Sequence, residues 1–395
     1  MLGFRIHAEG EASKEAMMAP ATFRRAALIT AGLALAGAGC DGEAAWVSSD
    51  GAAAQQDGGA ADLPLTPTGD GGKASDGLKG CNPLTFSLAQ APPAEVYLTL
   101  DRSGSMAEQG STAAVTRWKE LQDAVDFVLQ QFEASIDFGL LTFPADSMCK
   151  TSGPQVKIGP KNRKAILYNL GLATPAGGTP TAAALSNAAR SLKDVGAKGS
   201  KKYLILATDG GPNCNYLLSA TPACSCTQAA ASYCCTNQPA ACYAGHTCLD
   251  DAQTLQAIQD LHDKDGITTF VIGLEGSSEY KALLDAMAKA GGAPQTGGAT
   301  SYYPAGSKTE IQTALQAIAV SVISCEIDLQ KKPDYPDKVL VYLDGKLVPR
   351  DAGKQDGWNY VDSSLTKIML YGAACTKLQD GAKHALTATF ACVVI

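Results

Sequence analysis

Between residues 96 and 322 short apolar runs alternate with longer stretches of helical spacing, and this alternation limits the available folds more than any other feature of the chain. Residues 96–100, 136–143, 203–207 and 267–274 are short, β-branched or aromatic-rich runs that read as strands. Residues 118–132 place apolar side chains at Trp118, Leu121, Val125, Val128 and Leu129, the spacing of a helix buried along one face. Residues 181–192, 255–261 and 311–322 repeat that pattern, the second of them stopped at Gly266. Strands and helices in alternation pack as a parallel sheet covered on both faces. The predicted architecture is α/β, doubly wound and mostly parallel. With 395 residues, 46% of them hydrophobic, there is enough chain for one large domain and a smaller one.

The first strand runs into the stretch EVYLTLDRSGSM, residues 95–106, where Asp101, Ser103 and Ser105 occupy alternate positions. On extended backbone that spacing aims one carboxylate and two hydroxyls at a single crevice, and Gly104 lets the chain turn tightly between them. Hard oxygen donors converging in this way suit a divalent cation such as Mg²⁺. A ligand-free Ser/Gly-rich turn is the other reading of this segment alone. Two later segments bear on the choice. In GGTPTAAAL, residues 177–185, a glycine pair delivers Thr179 just ahead of a helical pattern. In KYLILATDGGPN, residues 202–213, a second apolar strand ends on Asp209 and two glycines. Core packing has no use for carboxylates at two strand ends, whereas ligand sites of open α/β sheets lie just outside those ends.

Together the DxSxS, GGT and TDG segments resemble the metal-ion-dependent adhesion site of the von Willebrand factor type A (vWA) family, over roughly residues 95–324 and with all five motif positions present. The resemblance implies that Asp101, Ser103, Ser105, Thr179 and Asp209 hold a divalent cation, Mg²⁺ first, with Mn²⁺ and Ca²⁺ as the alternatives. It further implies one coordination position left for an acidic group of a protein or glycan ligand, and so metal-dependent adhesion or protein binding. The alternative is a scaffold subunit of an envelope assembly in which the metal is structural.

Residues 17–40, MMAPATFRRAALITAGLALAGAGC, have the layout of a secretory signal: Arg24 and Arg25, an apolar core, then small residues before Cys40. The apolar stretch is too short to span a bilayer. Its end resembles a bacterial lipobox, although Gly37 stands where Leu is more usual, and this makes Cys40 the expected lipidation site. The chain is then expected as a cell-envelope lipoprotein on the periplasmic face or outer surface, reaching the membrane by its lipid anchor alone; an ordinary cleaved signal and a secreted product form the alternative. Residues 41–80 are mostly Gly, Ala, Asp, Ser and Pro, too poor in large apolar side chains to fold, and read as a tether. A Gly-rich coil of that length reaches about 35 Å.

The vWA-like region, taken as residues 81–324, carries an insertion at 213–249 with seven cysteines: Cys214, Cys224, Cys226, Cys234, Cys235, Cys242 and Cys248. In an exported chain such density points first to disulfides. Setting Cys40 aside leaves an even number of the 13 cysteines, the others being Cys81, Cys149, Cys325, Cys375 and Cys392. Seven is odd, so an insertion cysteine must bond outside it, and Cys149 is the candidate. Cys81 and Cys325 are placed to tie the two ends of the domain. A zinc knuckle using His246 is the competing reading, weakened by the absence of any CxxC. Residues 325–395 change to short strand-like runs around an Asp344-Gly345 turn, a small β-rich C-terminal module for which Cys375 and Cys392 offer a staple.

A net charge of −7 leaves no basic footprint for nucleic acid. No HExxH, GxSxG or GxxxxGK[ST] occurs, so the sequence offers no enzyme signature of these kinds.

Overall fold

The apolar run at 96–100 lies inside β2 (Ala94–Asp101), a strand buried at every position. The computed structural model describes residues 84–88, 90–193, 199–215, 225–227 and 247–390. Cys40, Cys81, Cys224, Cys234, Cys235, Cys242, Cys392, the signal layout, the tether and His246 lie outside the described residues. The chain proceeds from β1 (Leu84–Ser87) and β2 through α1 (Arg117–Phe132), β3 (Ile136–Phe143), β4 (Val156–Gly159), α2 (Arg163–Leu172) and α3 (Thr181–Lys193). It continues through β5 (Lys202–Thr208), α4 (Asp251–Asp263), β6 (Thr268–Leu274), α5 (Lys281–Ala290), β7 (Tyr303–Ala305) and α6 (Lys308–Val322).

Six of these strands form one sheet in the order β4-β3-β2-β5-β6-β7. All neighbours are parallel except β4, which runs antiparallel along β3. Alternation along each strand decides which face its side chains serve. Val96, Leu98 and Leu100 of β2 join Ile205 and Ala207 of β5 against α1, α2 and α6. Tyr97, with Leu204 and Leu206, faces α3, α4 and α5. Each fully buried Leu or Val of these two cores contributes about 1.5–3 kcal/mol relative to its exposed state. The sheet is therefore doubly wound, with helices on both faces. Gly139 of β3 lies opposite Tyr97. A Cβ there would stand 2.4 Å from the Tyr97 ring, so only glycine lets the two strands carry that tyrosine.

The chain turns to opposite sides of β2, toward β3 and toward β5, so the sheet order reverses at the β2–β5 pair. The carboxyl ends of these two strands carry Asp101 and Thr208, with Asp209 next in the chain. A crevice opens where the strand order reverses. At the head of α1 the Thr116 hydroxyl accepts from Lys119 N at 3.2 Å, which fixes the start of that helix.

The C-terminal module comprises β8 (Glu326–Asp328), β9 (Val339–Leu343), β10 (Lys346–Val348), β11 (Gly357–Tyr360), β12 (Lys367–Tyr371), α7 (Gly372–Leu378) and β13 (Leu386–Phe390). Two antiparallel sheets, β1-β13-β9-β10 and β11-β12-β8, enclose a core centred on Trp358, Ile327, Val341 and Ile368. Asp344 and Gly345 both take positive φ, 50° and 75°, as a two-residue hairpin turn requires. Two sequence expectations change here. Strand β1, placed by sequence with the vWA-like region, pairs with β13 over residues 84–87 and belongs to the module's sheet. Cys325 bonds to Cys375, not to Cys81, and Cys375 is thereby not a partner of Cys392. The reason is local: β8 lies along β12, Leu370 N donates to Cys325 O at 3.0 Å, and α7 then brings Cys375 back over that pair, with 5.5 Å between the Cα atoms.

Candidate functional site

Asp101 is the last residue of β2, and its Oδ1 accepts from Ser103 N at 2.8 Å, which bends the chain out of the sheet. A single 3-10 turn, Gly104–Ala107, follows and returns the Ser105 side chain toward Ser103. Their hydroxyls lie 3.1 Å apart, and Ser105 Oγ donates to Asp209 Oδ1 at 2.9 Å. From the neighbouring strand Thr208 Oγ1 donates to Asp101 Oδ2 at 2.6 Å. Asp101, Ser103, Ser105 and Asp209 thus form one hydrogen-bonded chain, with both carboxylates almost wholly buried.

Thr179 arrives on the loop ahead of α3. Gly104 N donates to Gly177 O at 2.9 Å and Ala176 N to Arg102 O at 2.9 Å, so this loop is laced to the first motif. Gly177 has φ +82°, and a Cβ there would meet Met148 O at 2.4 Å, so this position needs glycine twice over. Thr179 is held from the other side by Asn213: its N donates to Asn213 Oδ1 at 2.7 Å, and Asn213 N donates to Thr179 O at 2.9 Å. All five sequence-predicted residues therefore sit at one end of the sheet, Asp101 as the last residue of β2 and the others on three loops that bond to one another.

Three further residues shape the crevice. Arg117, the first residue of α1, places Nη1 2.8 Å from Asp209 Oδ2 and Nη2 3.1 Å from Glu108 Oε2. Thr208 and Asn213 are the others. The letters of Thr208 and Asn213 are part of the stretch that ends on TDGGPN, but nothing in that stretch marks them as holding Asp101 and Thr179. Arg117 stands just outside the apolar spacing of its helix, and no sequence signal ties it to Asp209.

Burial pushes the Asp101 carboxyl up to about 7; the charge of Asp209 adds to this, and the bonds from Thr208 and Ser103 oppose it. Asp209 is also raised by burial, against the pull of Arg117 and Ser105. Two buried carboxylates facing each other are costly to keep ionised without a cation between them. The guanidinium serves Asp209, while Asp101 receives neutral donors. Two carboxylates and three hydroxyls are hard oxygen donors, and this set fits a divalent cation of the Mg²⁺ type. Among the described residues no group of three or more His, Cys, Asp or Glu is placed to hold a metal ion, so a cation here would rest on two carboxylates and neutral hydroxyls. Cys214, Cys226 and Cys248 are disulfide-bonded, which removes three thiols from a zinc knuckle in the insertion.

Residues 96–212 match the family profile of the von Willebrand factor type A domain. The uncharacterized protein YwmC of Bacillus subtilis (strain 168) is 25% identical over 229 residues, covering 56% of this chain and 80% of its own. Among solved structures, the pilus adhesin SpaC of Lactobacillus rhamnosus GG aligns with a TM-score of 0.45 and 16% identity over 78% of this chain; the match spans 40% of SpaC. The vWF domain of the type V pili tip protein Mfa5 of Porphyromonas gingivalis aligns with a TM-score of 0.42 and 13% identity, over 59% of this chain and 97% of that domain.

Proposed function

Starting from the match of residues 96–212 to the von Willebrand factor type A domain, we propose a cell-envelope binding protein that takes a partner's acidic group at a divalent cation. Asp101, Ser103, Ser105, Thr179 and Asp209 would hold the ion. When bound, the cation supplies positive charge and an unfilled coordination position for a carboxylate. The observation that carries this reading is the hydrogen-bonded chain from Thr208 through Asp101, Ser103 and Ser105 to Asp209, built at the carboxyl ends of β2 and β5. These contacts tie four of the five side chains together at and just beyond the ends of β2 and β5, while Thr179 is held through its backbone by Asn213. Export is supported by the signal layout at 17–40 and by the bridges Cys149–Cys214 and Cys325–Cys375, which suit an oxidising compartment. Lipidation at Cys40 is part of the same proposal.

One observation favours the scaffold alternative. Arg117 already gives Asp209 a positive partner, so the crevice has a source of positive charge that does not depend on an ion.

Thermal unfolding with and without Mg²⁺ separates the two. The EDTA-stripped native chain should be stabilised by Mg²⁺, by about 2.7 kcal/mol at a hundredfold excess over Kd. Asp101→Ala should show no such shift and should lose capture of envelope proteins that EDTA abolishes for the native chain. A native chain indifferent to millimolar Mg²⁺, Mn²⁺ and Ca²⁺ removes the metal from the proposal. Capture that survives both EDTA and Asp101→Ala selects the scaffold.

A further inference from the structure

The loop that carries Thr179 is covered by a covalent bond. Cys149, in the loop after β3, is joined to Cys214, which follows Asn213 directly; their Cα atoms lie 5.5 Å apart across 65 residues of sequence. The bridge lies against the residue that precedes Thr179. A Cβ on Gly178 would stand 2.3 Å from Cys214 Sγ, 2.8 Å from Asn213 Oδ1 and 3.5 Å from Cys149 Sγ. Each cysteine is adjacent to a residue that bonds this loop. Met148 O accepts from Gly178 N at 2.7 Å, and Asn213 both accepts from and donates to the Thr179 backbone. Met148 and Asn213 hold the loop from two sides, and the disulfide ties those two sides to each other.

We infer that the Cys149–Cys214 bridge is a positioning device for Thr179, so that the cation affinity of the crevice depends on this one disulfide. The inference rests on the proposed metal reading and adds a control to it. Asp101 and Ser103 are fixed by the rigid end of β2, while Thr179 depends on loops whose closest approach is secured by the bridge. A dithiol reductant opens it by exchange: the sulfur–sulfur bond breaks, Cys149 and Cys214 each take up a proton and become thiols, and the reductant's two thiols become its own disulfide. The Met148 and Asn213 loops then lose their covalent tie, and the hydrogen bonds of Gly178 to Met148 and of Thr179 to Asn213 must hold the loop without it.

The test compares Cys149→Ala/Cys214→Ala, which leaves no unpaired thiol, with Cys325→Ala/Cys375→Ala, which removes a bridge in the C-terminal module. Two readouts are taken on the full chain: hydrogen exchange at the Thr179 and Asn213 amides in EDTA, and the Kd for Mg²⁺ by calorimetry. The first variant should exchange faster at both amides and bind Mg²⁺ about 10- to 100-fold more weakly, the usual effect of losing a group that orients a ligand. The second should leave both readouts at native values. Unchanged exchange and unchanged Kd in the first variant overturn the inference while leaving the metal site standing. If the native chain binds no cation, the metal reading fails, and the exchange rates still decide whether the bridge positions Thr179. Should the first variant show no cooperative unfolding transition, Gly178→Ala replaces it. That variant keeps both cysteines but forces the Thr179 loop off the bridge, and native exchange and native Kd in it overturn the inference.

Discussion

Arg117 Nη1 lies 2.8 Å from Asp209 Oδ2 in a pair whose arginine side chain is 14% exposed and whose aspartate side chain is not exposed at all. Removing the arginine leaves a buried carboxylate with Ser105 as its remaining side-chain partner, so Arg117→Gln should destabilise the metal-free chain by roughly 3 kcal/mol. The same change removes a positive charge from beside the proposed cation. The variant should therefore unfold earlier in EDTA yet gain more from Mg²⁺ than the native chain does. Calorimetric unfolding at several Mg²⁺ concentrations checks both halves, and a variant with unaltered Mg²⁺ response shows that Arg117 and the ion do not compete.

Thr179→Ala removes one neutral hydroxyl from a loop whose backbone bonds to Asn213 remain. The fold should lose about 1 kcal/mol or less. Mg²⁺ affinity should nevertheless drop about tenfold, since one donor of the shell is gone. Equal Mg²⁺ titrations of native and variant chains would show that the Thr179 hydroxyl is not a ligand.

In the C-terminal module His384 lies between Asp344 and Asp380, with Nδ1 2.7 Å from Asp344 Oδ2 and Nε2 2.8 Å from Asp380 Oδ1, and its side chain is 3% exposed. Lys377 Nζ also bonds Asp380, at 2.8 Å. Burial disfavours the imidazolium, but the bonds and charges of Asp380 and Asp344 outweigh it and raise the His384 pKa. A raised folded-state pKa means that the protonated form favours folding. The contribution is complete below the unfolded value of about 6.5 and fades as pH rises through the folded one. The melting temperature of the native chain should thus exceed that of His384→Asn most near about pH 5.5 and least near about pH 9. A gap that does not change with pH would show that the histidine is not charged in this cage.

Gly139→Ala places a methyl group 2.4 Å from Tyr97 Cε1 and 2.8 Å from Ile158 Cγ1. Overpacking of this kind should cost about 1–3 kcal/mol, read as a lower urea midpoint. Because the clash sits in the middle of β3, away from the strand ends, the Mg²⁺ response should survive.

Periodicity carried most of the α/β domain. Strand β3 occupies residues 136–143 as its pattern predicts, and α1 differs from its predicted span by one residue, Arg117, because Thr116 provides the cap. Elements with little to bury were harder to read. Helix α2 buries only Ile166 and Leu170 while Tyr168 and Leu172 face outward, so its sequence has no clear apolar stripe. Strands β7, β8 and β10 have three residues each, too few to show alternation. Helix α7 opens on Gly372 at positive φ inside a β-rich module, against both local propensity and context. At the crevice, Asp101 and Asp209 were legible because their place at strand ends is written in the apolar runs before them. Arg117, Thr208 and Asn213 were not, since their roles depend on which loops meet in space.

Strand β1 bears on how the molecule would carry load. Only residues 88–93 separate it from β2, so Leu84 and Asp101 are joined by a short length of chain. Tension applied between the crevice and the residues before Leu84 would run along β2 and pull it lengthwise between two parallel neighbours, β3 and β5, each paired with it over most of its length. In that geometry many backbone bonds must shear together, whereas a strand peeled from an edge gives them up one at a time. The same pull reaches β1, whose four paired residues on β13 form a much shorter seam. Under rising force the β1–β13 seam should part first, lengthening the connection while the strand that ends in Asp101 stays seated.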